Sequence, residues 1–179
     1  MIITISGKAG SGKSTVATLL AKKLHIKHYS IGDLMRQMAK EKQVSLLELS
    51  KEAEQDNSID KELDDRQIHL GKSEDNFVID GRLTAFFIPN ATFKIFLDCD
   101  DNTRAQRILD EKREGETSKN IHEMMKKINQ REESERKRYK EYYNYDYQDT
   151  ANYQFVIDTT NLTISQMLEE VLKVISSVQ

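Results

Sequence analysis

The chain has 179 residues, with 27 Lys and Arg against 30 Asp and Glu, a formal net charge of -3 and a pI of about 5.9. A composition that is 37% hydrophobic and 32% charged, with a mean hydropathy of -0.68, describes one globular domain with a modest core and a heavily charged helical surface. It excludes a global basic field for nucleic acid, and Cys99, the only cysteine, excludes a disulfide framework or a multi-cysteine metal site. No apolar run approaches the roughly 18 to 20 residues of a membrane span, and MIITIS is too short for a signal peptide, so a cytoplasmic protein is expected.

Met1 to Ser6 is a short β-branched apolar run, the pattern of a strand buried on both faces, and Thr15 to Leu24 turns helical. Tyr29 to Ile31 reads as a further short strand, and Asp33 as the N-cap of a helix with Leu34, Met35 and Met38 on its apolar face. Three more apolar runs follow at Phe77 to Ile79, Phe93 to Leu97 and Phe155 to Ile157, separated by helical stretches. That alternation predicts βαβ units, hence an α/β fold of three layers with five parallel strands between helices.

Between the first strand and the first helix stands Gly7-Lys8-Ala9-Gly10-Ser11-Gly12-Lys13-Ser14-Thr15, which satisfies GxxxxGK(S/T) in full. Glycines without Cβ atoms let successive N–H groups point inward as an anion nest, with the positive end of the helix behind them. Lys13 reaches the β and γ phosphates and the Ser14 hydroxyl ligates Mg2+, so binding of ATP with Mg2+ in a P-loop NTPase fold is expected.

A small-molecule kinase needs in addition a second phosphate site, a carboxylate near Mg2+ and arginines that neutralise the transferring phosphoryl. Arg36, one turn into the helix after Ile31-Gly32-Asp33, is a candidate clamp on an acceptor phosphate. Phe77-Val78-Ile79-Asp80-Gly81-Arg82 ends a strand where ligands sit in open α/β sheets. There Asp80 would hold a Mg2+-bound water, Gly81 would let the backbone turn closely, and Arg82 would grip the acceptor phosphate beside Arg36.

With these residues in place, the sequence resembles the nucleoside monophosphate kinases, and more narrowly the short archaeal type of cytidylate kinase. The resemblance rests on GKAGSGKST, YSIGDLMRQMAKE, DGRLTAFFIPNATFKIFLD, INQREESERKRYKEYY and VIDTTNLTISQMLEEVL, and covers nearly the whole chain. It implies transfer of the ATP γ-phosphoryl to CMP or dCMP, with Asp33 and Arg36 at the acceptor site and Arg82 on its phosphate. It also implies a single domain over 1–179 with an acceptor-binding insert at about 33–72 and a short lid at about 113–130. Arg113 and the hinge Gly115-Glu116-Thr117-Ser118 belong to that lid, and Arg107 just before it is expected near the ATP base or phosphates.

Within the insert, Asp60 and Asp64 lie one turn apart, and a carboxylate with Arg66 would match the amine and acceptors of a cytosine edge. A solvent-facing charged helix is the plain alternative. In REESERKR, Arg131, Glu135 and Arg138 share one helical face, while Glu132 with Arg136 and Glu133 with Lys137 form i, i+4 pairs on the solvated side. The resemblance makes the first face a phosphate clamp, with Lys13, Arg131 and Arg138 as the catalytic cations and Glu135 orienting an arginine or meeting the acceptor sugar. His28 and the other histidines show no ligand spacing, and the tyrosines from 139 to 153 are expected to pack on the sheet. A monomer acting on small molecules, without nucleic acid or membrane, is expected; AMP or UMP as acceptor, and an ATPase acting as an assembly factor, are the competing readings.

Overall fold

The computed structural model describes residues 1–111 and 118–177. In chain order its elements are β1 (Ile2–Gly7), α1 (Lys13–Leu24), β2 (Lys27–Ser30), α2 (Ile31–Lys42), α3 (Leu46–Glu52) and α4 (Ser58–Ser73). There follow β3 (Phe77–Asp80), the single turn α5 (Thr84–Phe87), β4 (Phe93–Asp98), α6 (Asp101–Asp110), the long α7 (Ile121–Tyr143), β5 (Phe155–Asp158) and α8 (Ile164–Ser176). The five strands form one parallel sheet in the order β2-β3-β1-β4-β5. All of β1 is buried because helices cover both faces of the sheet, which is why it reads as an unbroken apolar run. The connection from β1 runs to β2 at one edge, whereas that from β3 crosses to β4 on the other side of β1, so a crevice opens beyond the carboxyl ends of β1 and β3.

The main core joins β1 and β4 to α1 and α8 through Ile3, Ile5, Val16, Leu20, Ile95, Leu97, Val171 and Ile175. Helices α2, α3 and α4 make a second cluster among themselves, from Met35, Met38, Leu46, Leu49, Ile59 and Leu63. The expected acceptor insert is therefore a helical unit with its own apolar centre. A third group, Leu83, Phe96, Tyr139, Tyr147 and Tyr153, packs tyrosines onto the sheet, whereas Tyr142, expected to pack there by its helical spacing, is exposed.

Four local expectations change. The second strand is Lys27–Ser30, and the chain enters α2 with no linker, so Ser30 is the N-cap and its hydroxyl accepts the Asp33 N–H at 3.2 Å. Asp33 is thus a first-turn residue of α2. Helix α7 ends at Tyr143 with Asn144 in the left-handed region, so Tyr147 reaches the core from the loop beyond it. Residues 121–130, expected in a lid, are the first turns of α7 itself, while Arg113 and 115–117 lie outside the described residues.

Candidate active site

The loop between β1 and α1 is fixed by glycines at three left-handed positions, Gly7, Gly10 and Gly12. At Gly7 a Cβ would stand 2.2 Å from the Leu97 carbonyl oxygen, and at Gly10 one would stand 2.5 Å from that of Arg104, so no side chain fits either place. The loop is also held from outside. The Ala9 N–H donates to Glu132 Oε1 at 3.0 Å, and the Ala9 carbonyl accepts from Arg104 Nη1 at 3.1 Å. Arg104 and Glu132 are both buried and bonded to each other at 2.8 Å. Thr159 donates to the Ser11 carbonyl at 3.0 Å, and Arg107 locks Thr159 in turn through its hydroxyl and carbonyl. Arg107 therefore braces the loop through Thr159. Lys8 turns outward to Asp98 at 3.3 Å, leaving only its backbone to the cradle, and Lys13 Nζ donates back to the Lys8 carbonyl at 2.6 Å. Thr15, the third residue of α1, follows the proposed ligand Ser14.

Ser14 and Asp80 converge as a Mg2+ site requires. The Ser14 hydroxyl donates to Asp80 Oδ2 at 2.7 Å, across the ends of α1 and β3. No group of three or more His, Cys, Asp or Glu able to hold a metal occurs among the described residues. A hydroxyl beside one buried carboxylate, with phosphates and waters completing the shell, suits Mg2+, which keeps most of its waters and needs no all-protein cage. His28, dismissed from spacing alone, lies against this pair with Nε2 at 2.7 Å from Asp80 Oδ1, and Ser30 donates to Oδ2 at 3.2 Å. Parallel pairing of β2 with β3 brings His28 and Ser30 there, and no spacing within the sequence reveals it.

A cleft beside the P-loop is lined by Lys13, Ser14, Arg36, Asp80, Gly81, Arg82, Arg131 and Glu135, together with Asp60, Asp64 and Gln67 of α4. Glu135 organises the cations. Its Oε2 accepts from Arg82 Nε at 2.8 Å and its Oε1 from Arg131 Nε at 2.9 Å. Burial alone would push this carboxyl up, but the two guanidinium groups outweigh burial and hold it down at about 2. Near neutral pH it is therefore ionised. Arg82 also donates from Nη1 to the Gly7 carbonyl at 2.7 Å and stacks over Tyr147, whereas its buried Nη2 has no hydrogen-bond partner. The carboxylate oxygen of Glu132 stops 3.9 Å short of that nitrogen. An unsatisfied buried guanidinium N–H beside the P-loop is a donor awaiting an anion. Gly81 serves close approach, since a Cβ there would meet Thr84 and Ile31 at 3.0 Å or less. Arg36 faces the cleft, and Asp33, outside its lining, forms an ion pair with Arg36.

Three expected roles move. Arg138 is absent from the cleft lining: Nε donates to Asp60 Oδ2 at 2.6 Å, and Nη1 donates to the Ser50 carbonyl at 2.9 Å and to Ser134 at 2.7 Å. It is a buried tie between α7, α3 and α4 and not an open phosphate clamp, because α3 and α4 cover that turn of α7. Arg66 is exposed and lines no part of the cleft, so the arginine partner of Asp60 is Arg138. Glu132, assigned from spacing to a surface pair with Arg136, belongs to the P-loop brace; Arg136 pairs with Asp146 and Lys137 with Glu54. Gln67 was missed, although it continues the face of Asp60 and Asp64 at i+7 and i+3 and helical phase alone could have found it.

Asp64 accepts a short hydrogen bond from Tyr143. Burial pushes its carboxyl up from 3.8 to about 7, against that bond, with Asp60 and Asp65 adding to the rise. Between these two values the folded state keeps a proton that the unfolded state has lost, so stability should fall as pH climbs from about 4 to about 7. Asp64→Asn should therefore gain melting temperature relative to wild type as pH rises across that window. A constant difference from pH 5 to pH 8 in thermal melts would show that Asp64 ionises normally.

Phosphate cradle, Mg2+ pair and arginine cluster together define a P-loop phosphotransferase site. The fold agrees: a shikimate kinase from Aquifex aeolicus superposes with a TM-score of 0.61 over 98% of this chain and 96% of its own, at 18% identity. Residues 2–161 match the model of the cytidylate kinase-like family. A protein named cytidylate kinase from Methanosphaera stadtmanae is 40% identical over 99% of both chains. Another of that name from Pyrococcus abyssi is 44% identical over 89% of this chain and 85% of its own. The chain belongs to the cytidylate kinase-like family.

Proposed function

We propose that this protein transfers the γ-phosphoryl group of ATP to CMP or dCMP, giving ADP and CDP or dCDP. The observation that carries the reading is the two-sided cleft. Its P-loop side holds Lys13 and the Glu135-bound Arg82 and Arg131, and its α4 side holds Asp60, Asp64 and Gln67. Lys13, Arg82 and Arg131 gather on the P-loop side, so the acceptor lies with its phosphate towards Arg82 and Arg131 and its base towards α4. Relatives named cytidylate kinase support the choice of base.

Ser14, with a water held by Asp80, would hold Mg2+, which would supply neutralisation of the charge on the ATP phosphates. Lys13, freed from the Lys8 carbonyl, reaches the β and γ phosphates. Arg82 directs its unpaired Nη2 at the acceptor phosphate, Arg131 neutralises the transferring group, and Arg36 closes the acceptor side. Arg138 and Asp60 position the wall of the base site. No protein base is needed, because the acceptor phosphate is ionised near neutral pH. The remaining requirement is that two anions face each other in line, which the paired arginines make possible. The reading extends to a cytoplasmic monomer; no helix among the described residues is long and apolar enough to cross a membrane.

An acceptor panel of CMP, dCMP, UMP and AMP with ATP and Mg2+, followed by release of ADP, tests it. CMP and dCMP should be turned over best. Preference for AMP or UMP would reassign the acceptor, and ATP hydrolysis stimulated by RNA or ribosomes without turnover of any monophosphate would favour an assembly factor.

A further inference from the structure

Gln67 is almost wholly buried, at 2% exposure, on the face of α4 that also carries Asp60, Leu63 and Asp64. Its Nε2 donates to the Leu63 carbonyl one turn back at 3.2 Å. That contact sets the amide, since the reverse orientation would put two carbonyl oxygens against each other. The other end, Oε1, is then an acceptor, and it is buried with no hydrogen-bond partner while the residue lines the acceptor cleft. A helix of this kind has no need of a polar side chain here. Leu70, one turn on along the same face, is buried and apolar. An orphaned acceptor inside a protein is costly unless something fills it, so its presence points to a ligand donor.

We infer that Gln67 is a specificity-determining residue whose Oε1 accepts a hydrogen bond from the exocyclic amine of the acceptor base. This rests on the cytidine-nucleotide reading given above. Cytosine presents an N4 amine at the edge where uracil presents a carbonyl oxygen. A pyrimidine with a carbonyl there would set oxygen against oxygen. Discrimination then arises from rejection of uracil as well as from attraction to cytosine. Asp60 is unsuited to this task because its two oxygens face Arg138. On this face the buried acceptor with no hydrogen-bond partner is the amide oxygen of Gln67, whereas Asp64 accepts from Tyr143.

Kinetic constants and equilibrium binding of CMP and UMP, measured on the wild-type chain, Gln67→Leu and Gln67→Met, test the inference. In both variants KM for CMP should rise and kcat/KM for CMP should fall about 10- to 100-fold, with kcat changed less than KM, while UMP, no longer opposed by the amide oxygen, is used as well as before or better. The CMP-to-UMP preference should therefore collapse. A merely structural role would weaken both acceptors together. The unbranched Met variant carries the measurement should the Leu variant lose its circular dichroism spectrum. CMP preference kept within about twofold in a folded variant overturns the role of Gln67 and leaves the acceptor reading standing. A wild-type chain that phosphorylates another monophosphate and not CMP overturns both.

Discussion

Arg138→Ala should lower the melting temperature by roughly 6 to 20 °C, the counterpart of about 3 to 5 kcal/mol in a chain of this size. Arg138 is 2% exposed, and its guanidinium engages the Asp60 carboxylate, the Ser50 carbonyl and the Ser134 hydroxyl. Removing it leaves Asp60 as an uncompensated buried charge and opens the junction of α3, α4 and α7. The loss comes from the orphaned partner more than from any net attraction of the pair, so a double variant shows the mechanism. Arg138→Met combined with Asp60→Leu should recover a large part of the lost stability, as apolar replacement of a buried ion pair commonly does. Thermal melts of both proteins decide it: a single variant within about 2 °C of wild type would mean that the pair is solvated in solution.

Arg82→Ala should reduce kcat by about 10²- to 10³-fold, the range found when a positioned donor to a developing charge is removed. Arg82 is the point where three parts of the site meet: Nε on Glu135, Nη1 on the Gly7 carbonyl, and Nη2 without a partner beside the P-loop. Arg82→Lys should rescue little, because a single ammonium reproduces neither the two anchored contacts nor the third, aimed nitrogen. Steady-state kinetics with CMP and ATP, on protein shown to be folded by circular dichroism, provide the check. Turnover within tenfold of wild type in the alanine variant would remove Arg82 from the reaction.

The sheet, the P-loop and the residues at its rim were legible in the sequence because each is a local pattern. Apolar runs gave all five strands to within two residues at either end, and GKAGSGKST fixes its own backbone. Residues whose meaning depends on a distant element were not legible. Periodicity rightly placed Arg131, Glu135 and Arg138 on one face of α7, yet it does not record that α3 and α4 cover the last of them. The same blindness assigned Glu132 to solvent, when α6 and the P-loop lie over it. Arg66 and Gln67 are neighbours in sequence with opposite fates. Helical phase separates them: Gln67 falls on the buried face of α4 and Arg66 on its exposed one.

The brace on Ala9 makes α7 a ruler. Glu132 on that helix fixes the loop that cradles the donor phosphates, while Arg131 and Glu135, within one turn of it, set the arginines that meet the acceptor. A turn of α-helix rises about 5.4 Å, so one short stretch of α7 contacts both the P-loop and the arginines of the cleft. A shift of α7 would act at once on the loop through Glu132 and on Arg82 and Arg131 through Glu135.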